Sequence, residues 1–303
     1  AAHAGRAAVM APAQARLLAD GRRLHLHHGP IDLIVEAFAE PDERAAAYRR
    51  ITQRFATVLE ELVDELPELR RPAAAVPRPF RGSTARRMEQ AVCPLASEFI
   101  TPMAAVAGAV ADETLTVLVE GGGIDKAYVN DGGDIALFLS PGRSIRAAVA
   151  GTGNGFSDRL VVDAADPVRG IATSGWRGRS HSLGIADAVT VLAKSAADAD
   201  AAATMIANAV DLPGHPAVTR VPASTLSPDS DLGDRLVTYR VGALDRAEIA
   251  EALDRGHAAA ERLRDAGLIV AAALFLGGAV RVCGAPRLAP AREVISREVT
   301  VHA

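Results

Sequence analysis

The sequence predicts an α+β fold with a mostly antiparallel central sheet and helices packed against it. Short β-like runs follow one another at hairpin spacing between Lys126 and Asp163, separated by Gly, Pro, Asn and Asp. Segments of helical periodicity fall between antiparallel-looking strands, as in α+β proteins. No tandem repeat at a fixed period is present. Residues 1–303 read as one domain, with a proline-rich loop at 66–82.

Between Ala15 and Phe38 polar and apolar residues alternate, most clearly in Arg23-Leu24-His25-Leu26-His27. Gly29-Pro30 interrupts the run, so the segment predicts a β-meander. From Asp42 to Leu66 the period changes. Tyr48, Ile51, Phe55, Val58 and Leu62 form one helical stripe, with Asp42 as the expected cap. A helix is expected to start at Thr101-Pro102, where proline's missing donor costs little. Its stretch Met103 to Val110 has almost no bulk. Side chains that small let the backbone approach a sheet, a second helix or a ligand. Gly121-Gly122-Gly123 is a loop.

Ile171–Ser174 and Ala188–Ala193 read as strands. Ser195 fits the N-cap of a helix from Ala196 to Val210, with Asp198 three residues on. Asp245 and Glu248 repeat that device for a helix closed by Gly267, and Leu268–Phe275 and Ala279–Val282 pair at the end of the fold.

Hydrophobic residues make up 49% of the 303, enough for a sizeable core. Lys and Arg total 33 against 37 Asp and Glu, a formal charge of -4, and aromatics are only 4%. Both argue against a nucleic-acid partner. Cys93 and Cys283 fit no metal-site spacing and read as buried thiols of a reducing cytoplasm. The strongest apolar run, Leu268 to Val280, holds two glycines and is too short to cross a bilayer comfortably. The expectation is a cytoplasmic protein with a small-molecule ligand and no nucleic acid or membrane partner. Self-association is left open.

Several segments could carry chemistry. Asn130-Asp131-Gly132-Gly133-Asp134 exposes backbone N–H groups that can hold phosphate or carboxylate, and it also reads as a plain hairpin turn. Thr173-Ser174-Gly175 is followed by Trp176, Arg177, Arg179 and His181. Such a group can clamp an anion, since Arg offers a rigid donor fork and His can switch charge. Trp176 suits either a stacking surface or a core plug. Ser174 or Ser180, His181 and Asp187 can be written as a triad, although no nucleophile-elbow pattern surrounds either serine. Asp200 and Thr204 share one helix face and make a hard oxygen pair suited to magnesium or calcium, or simply a local hydrogen bond. Thr101 and Met103 open the small-residue helix and are expected to line the same pocket.

Taken together these motifs resemble the ApbE-like superfamily, whose best-known members are the magnesium-dependent FAD:protein FMN transferases, and within it a set of uncharacterised bacterial and archaeal proteins. The resemblance runs from about Gly29 to Val210. It rests on Thr101-Pro102-Met103-Ala104-Ala105-Val106-Ala107-Gly108-Ala109, on Asn130-Asp131-Gly132-Gly133-Asp134-Ile135, on Thr173-Ser174-Gly175 and on Ala199-Asp200-Ala201-Ala202-Ala203-Thr204. His27-His28-Gly29-Pro30-Ile31-Asp32-Leu33-Ile34 adds to it.

It implies an ApbE-like, T-fold-like architecture, and it names FAD or FMN and magnesium as candidate cofactors. It places Gly132, Gly133 and Asp134 beside the flavin nucleotide, and Thr173, Ser174 and Gly175 near its diphosphate. It puts His181 in the region of the family histidine, and Asp200 and Thr204 on the metal.

The transferases' flavin-gripping front segment and their His-x-x-Asp-Pro turn are not found here. The leading expectation is therefore an enzyme, transferase or hydrolase, acting on a small anionic or nucleotide-like molecule. The alternatives are a divergent FMN transferase and a non-catalytic flavin or small-molecule binder. Without the front segment to bring a diphosphate, the resting protein is expected to bind metal weakly or not at all.

Overall fold

In the computed structural model, residues 11–148, 159–178, 180–285, 288–289 and 300–302 are described. The alternating N-terminal segment forms β1 (Gln14–Leu17), β2 (Leu24–His28) and β3 (Ile31–Ala39). The long apolar stripe becomes α1 (Pro41–Asp64), which buries Tyr48, Ile51, Phe55, Val58 and Leu62. Asp42 is not its cap. Pro41 opens the helix after Glu40, and Asp42 lies in the first turn, where its charge suits the helix dipole. The proline-rich stretch begins with a single turn, α2 (Leu66–Leu69), and ends in α3 (Ser83–Val92), which had no clear sequence signal.

Pro102–Ala105 is a 3-10 turn, and α4 (Val106–Val119) continues well past Asp112. Among the described residues, Pro102–Val119 alone is long and apolar enough to cross a membrane by composition, and more than half of it is buried inside the protein. Then follow β4 (Ile124–Asp131), β5 (Asp134–Leu139), β6 (Ser144–Ala148), β7 (Arg159–Asp163), β8 (Gly170–Ser174), β9 (Ala188–Ala193) and α5 (Ala196–Ala209). The chain ends with β10 (Val218–Pro222), α6 (Ala223–Leu226), β11 (Leu236–Val241), α7 (Arg246–Asp265), β12 (Ala271–Leu276), β13 (Ala279–Cys283), β14 (Leu288–Ala289) and β15 (Thr300–His302). Both C-terminal helices are capped as the sequence predicts. The Ser195 side chain accepts from the Asp198 amide, and Asp245 with Glu248 forms a complete capping box.

Among the described residues the main sheet has nine strands in the order β1-β2-β3-β4-β5-β8-β9-β12-β13. Every neighbouring pair in it is antiparallel. The α+β class with a mostly antiparallel sheet is thus what the chain adopts. Helices α1, α4, α5 and α7 cover one face. A smaller sheet, β14-β7-β6-β15, packs on the other through Ile145, Leu160 and Val162 against Ile135, Leu137 and Ile171. Each fully buried side chain of the size of Phe55, Leu33 or Ile171 contributes about 1.5–3 kcal/mol. The β10–β11 hairpin stands apart from both sheets.

Candidate functional site

Strand pleat and register sort the candidate residues onto two faces. Asp131 pairs with Leu33 on one side and Asp134 on the other, and Leu33 lies in the core beneath the helices. Directly paired residues share a face, so Asp131 and Asp134 point to the helices. In β8, Ser174 pairs with Val189, which packs in the core with α5 and α7, so Ser174 points the same way. Asn130 and Thr173 lie on the opposite face, where the Thr173 and Thr190 hydroxyls bond to each other at 2.9 Å. The residues predicted as one ligand set are thus divided by the sheet.

Asn130 to Asp134 is indeed a hairpin turn. Gly132 and Gly133 have φ of 64° and 119°, angles that suit a two-residue loop and disfavour side chains. The Asn130 Oδ1 accepts from the Gly133 amide at 2.9 Å, and the Asp134 Oδ1 accepts from the Thr173 amide at 3.2 Å. The turn is therefore braced to the end of β8.

Above this edge α4 and α5 meet at their starts. A Cβ on Gly108 would lie 2.3 Å from the Ala196 carbonyl oxygen, so the small residues of α4 serve a close helix–helix approach. Each helix lends the other a carboxylate. The Gly108 amide, in the first turn of α4, donates to Asp200 Oδ2 at 3.1 Å. The Ala196 and Ala197 amides that begin α5 donate to Asp112 at 3.1 and 2.9 Å. Acceptors at these positions satisfy amides that the helix leaves open and meet the positive ends of the dipoles.

Burial pushes the Asp200 pKa up to about 7, against the amides of Gly108 and Ala107 and with the help of the nearby Asp131 and Asp112 charges. Burial likewise raises Asp112 to about 6, opposed by the amides of Ala197 and Ala196. The small residues at the start of α4 left the approach of a ligand to its backbone open. Its Gly108 amide is instead engaged by Asp200.

Thr204 lies one turn beyond Asp200 on the same helix face. The donor set here, Asp200 and Thr204 with Asp131 nearby, is all hard oxygen and suits magnesium. Among the described residues, however, no group of three or more His, Cys, Asp or Glu could hold a metal ion. A magnesium ion held by Asp200 and Thr204 would therefore have to take most of its shell from water or from a ligand's phosphates.

The remaining candidates have other partners. Asp187 accepts from Arg177 Nε at 2.7 Å and from the Gly277 amide at 2.8 Å, while the His181 Nε2 is 3.0 Å from Ser227 Oγ. The structure does not assemble the Ser174–His181–Asp187 triad, because the acid is tied to Arg177 and the β12–β13 turn. Arg177 also lies over the Trp176 ring, 4.9 Å from its centroid. Arg179 lies outside the described residues. Thr101 is buried and donates to Asp231 Oδ2 at 2.5 Å. Met103 is half-buried and packs on the core beside α4 and α5.

Sequence reasoning missed Ser227, Asp231 and Asp112. Ser227 and Asp231 sit in a polar connection with no periodicity, and Asp112 resembles an ordinary surface acid of a helix. A groove of about 910 Å³ beside α1, lined by Arg50, Arg54, Glu61, Glu65, Arg81 and Arg86, holds none of the candidate residues. Its charges balance, since Asp64 and Glu120 also line it: Arg54 pairs with Glu61, and Arg81 lies 3.9 Å from Glu65.

The family described as AbpE bacteria matches residues 15–282, and the chain belongs to it. Relatives include a UPF0280 protein of Methanothrix thermoacetophila, 40% identical over 121 residues, which are 39% of this chain and 50% of the relative. Another, from Methanococcoides burtonii, is 38% identical over 120 residues, 39% of this chain and 49% of the relative. The chain thus spans about half the length of the curated relatives it matches.

Among solved structures, the apo flavinyl transferase ApbE of Pseudomonas stutzeri is similar with a TM-score of 0.45 at 13% identity, over 90% of this chain and 95% of that one. The flavin transferase ApbE of Vibrio cholerae gives 0.38 at 15%, over 90% and 97%. Likeness at that level says nothing of activity.

Proposed function

We propose that the chain is a group-transfer enzyme whose site takes a nucleotide-like, diphosphate-bearing anion together with a divalent cation. The motif resemblance favours a flavin dinucleotide as that anion. The observation that carries the reading is the environment of Asp200. It sits between the starts of α4 and α5, accepts from the Gly108 amide at 3.1 Å, and has its pKa raised by burial and by the nearby Asp131 charge, with Thr204 one turn on. Neighbouring carboxylates in a protein interior repel unless a proton or a cation lies between them. A divalent cation would relieve that repulsion and bring a diphosphate towards the glycine turn.

Bound there, the cation would supply charge neutralisation of the phosphate oxygens. Asp200 and Thr204 would hold it, and Asp131 would add negative charge beside it. The Gly132-Gly133 turn would let a ligand approach the backbone. Ser174, on the same face, would face the phosphates. In the transfer, an acceptor oxygen forms a bond to phosphorus as the bond to the departing phosphate breaks. His181 is the group available to take the acceptor's proton.

Isothermal titration of metal-stripped protein tests the reading. FAD is expected to bind at least tenfold more tightly with magnesium than without it. Asp200→Asn keeps an acceptor for the Gly108 amide, and should abolish that gain while leaving the fold intact. Magnesium alone should bind weakly. FAD affinity indifferent to both magnesium and Asp200→Asn would sink the proposal. Tight binding with no AMP released in the presence of acceptor proteins would favour a binding protein instead.

A further inference from the structure

The connection between β10 and β11 is polar and largely exposed at Thr225, Leu226, Pro228, Asp229, Gly233 and Asp234, yet it is held in a defined position. The base of the hairpin is pinned to the loop after His181. The Thr238 amide donates to the Ser182 carbonyl at 2.8 Å, and the Thr238 hydroxyl donates to the Gly184 carbonyl at 2.7 Å. Arg220 bonds the Leu183 carbonyl and the Asp211 carboxylate. The tip is ordered by its own bonds, from the Ser224 amide to the Gly233 carbonyl at 2.8 Å and from Ser224 Oγ to Asp234 at 2.6 Å.

Contacts beyond the hairpin then fix where the tip sits. Ser227 Oγ meets His181 Nε2 at 3.0 Å, Asp231 accepts from Thr101 at 2.5 Å, and the Arg235 guanidinium lies 3.3 Å from the centre of the Phe99 ring. The segment is therefore a strap that joins the loop after β8 to the turn leading into α4. Neither of these is close to the other in sequence, and both carry a candidate site residue.

We propose that residues 223–235 belong to the site, with Ser227 positioning His181 and Asp231 positioning Thr101. The inference rests on the reading of His181 and Thr101 as site residues. The chemistry of the partners suits the task. A hydroxyl can donate or accept, so Ser227 fixes the direction of the imidazole without dictating whether Nε2 carries a proton. A carboxylate in its place would favour the charged ring. That is what an acid–base histidine needs from a neighbour. Thr101 has the converse arrangement. Its proton is committed to Asp231, so its oxygen is left as an acceptor, and its backbone leads through Pro102–Ala105 into the helix whose first turn Asp200 holds.

The test uses the full chain with ¹⁵N-labelled histidine. Long-range ¹H–¹⁵N spectra report the ring nitrogens of each of the 8 histidines, with His181 assigned by its loss in His181→Gln. In the unliganded protein Ser227→Ala is expected to move the His181 Nε2 resonance and leave the other histidines in place, and Ser227→Thr is expected to restore it. Hydrogen exchange across 223–235 is expected to rise at least tenfold in Asp231→Ala and far less in Asp231→Asn, which keeps an acceptor.

If Ser227→Ala leaves His181 unchanged, the positioning role is overturned. It is overturned equally if His181 moves but magnesium-dependent FAD affinity and turnover stay within twofold of a wild type that shows both. Should the wild type take no flavin nucleotide at all, the nucleotide reading falls, and the ring spectra of unliganded Ser227→Ala and Ser227→Thr alone decide the positioning of His181.

Discussion

Asp112 and Glu113 are neighbours on α4, yet the first turns to the start of α5 and the second to α1 and α3. Among the described residues Asp112 accepts from backbone amides alone, and burial raises it to about 6. Burial would raise Glu113 as well, but hydrogen bonds from Ser83, Arg87 and Arg54 outweigh it and hold its pKa below the ordinary glutamate value. Amide dipoles soften the cost of burying a carboxylate. Two guanidinium groups reverse it. One helix thus carries a structural ion-pair face and, a residue away, a carboxylate that serves the start of α5.

The ion-pair face should show the larger effect when broken. Glu113 is 5% exposed, and its removal leaves Arg54 and Arg87 partly buried without it. Glu113→Ala is expected to cost about 3–5 kcal/mol in urea unfolding, as for other broken buried pairs. Arg54 keeps Glu61, which places the expectation at the lower end. A loss below about 1 kcal/mol would show that this face is effectively solvated, and the contrast with Asp112 would collapse.

The helix-pair face can be probed through its close approach. By helix propensity alone, Gly108→Ala should stabilise the protein by about 1 kcal/mol. Its Cβ would instead meet the Ala196 carbonyl oxygen at 2.3 Å, and backbone cannot swing aside as a flexible side chain can. The expected outcome is a loss of about 1–3 kcal/mol, with the two helix starts pushed apart. The sign alone decides the matter, since a gain in the urea midpoint would mean that α4 and α5 are not held at this distance.

The same contrast explains what could be read in advance. The bulky stripe of α1 announces a helix and its buried face, and the Ser195 and Asp245 caps announce where α5 and α7 begin. The hairpin at Gly132-Gly133 was legible because few residues other than glycine suit its angles. The small residues of α4 favoured a structural neighbour over a ligand but did not say which, because small size permits close approach without naming the neighbour. Asp200 and Thr204 were legible as a pair on one face, but the bond from Gly108 to Asp200 joins residues 92 positions apart and has no local sign. The strap at 223–235 was illegible for a related reason. It is held by single side-chain bonds to Thr101 and His181, which no periodicity encodes.

The smallest effect, and the most discriminating, is in the pH dependence of stability. The folded pKa of Asp112, about 6, lies above its unfolded value near 3.8. Between those values the folded protein binds more protons than the unfolded one, so this group's contribution is fully present below about pH 4 and is lost as pH rises through 6. Glu113 has the opposite sign and a lower window, since its depressed pKa adds stability that is lost only as pH falls below the ordinary glutamate value. Asp112→Asn removes the titration and keeps one acceptor for the α5 amides. Comparing variant with wild type at each pH cancels the histidines and Glu113. Relative to wild type, Asp112→Asn should therefore be more stable at pH 7.5 than at pH 4.5 by on the order of 1 kcal/mol, read as a shift in Tm of a few degrees or less. An equal difference at the two pH values would mean that Asp112 stays charged throughout. The amides of Ala196 and Ala197 would then suffice to hold a full charge between the helices, and Asp200, held in the same way from the other side, would need no cation to explain it.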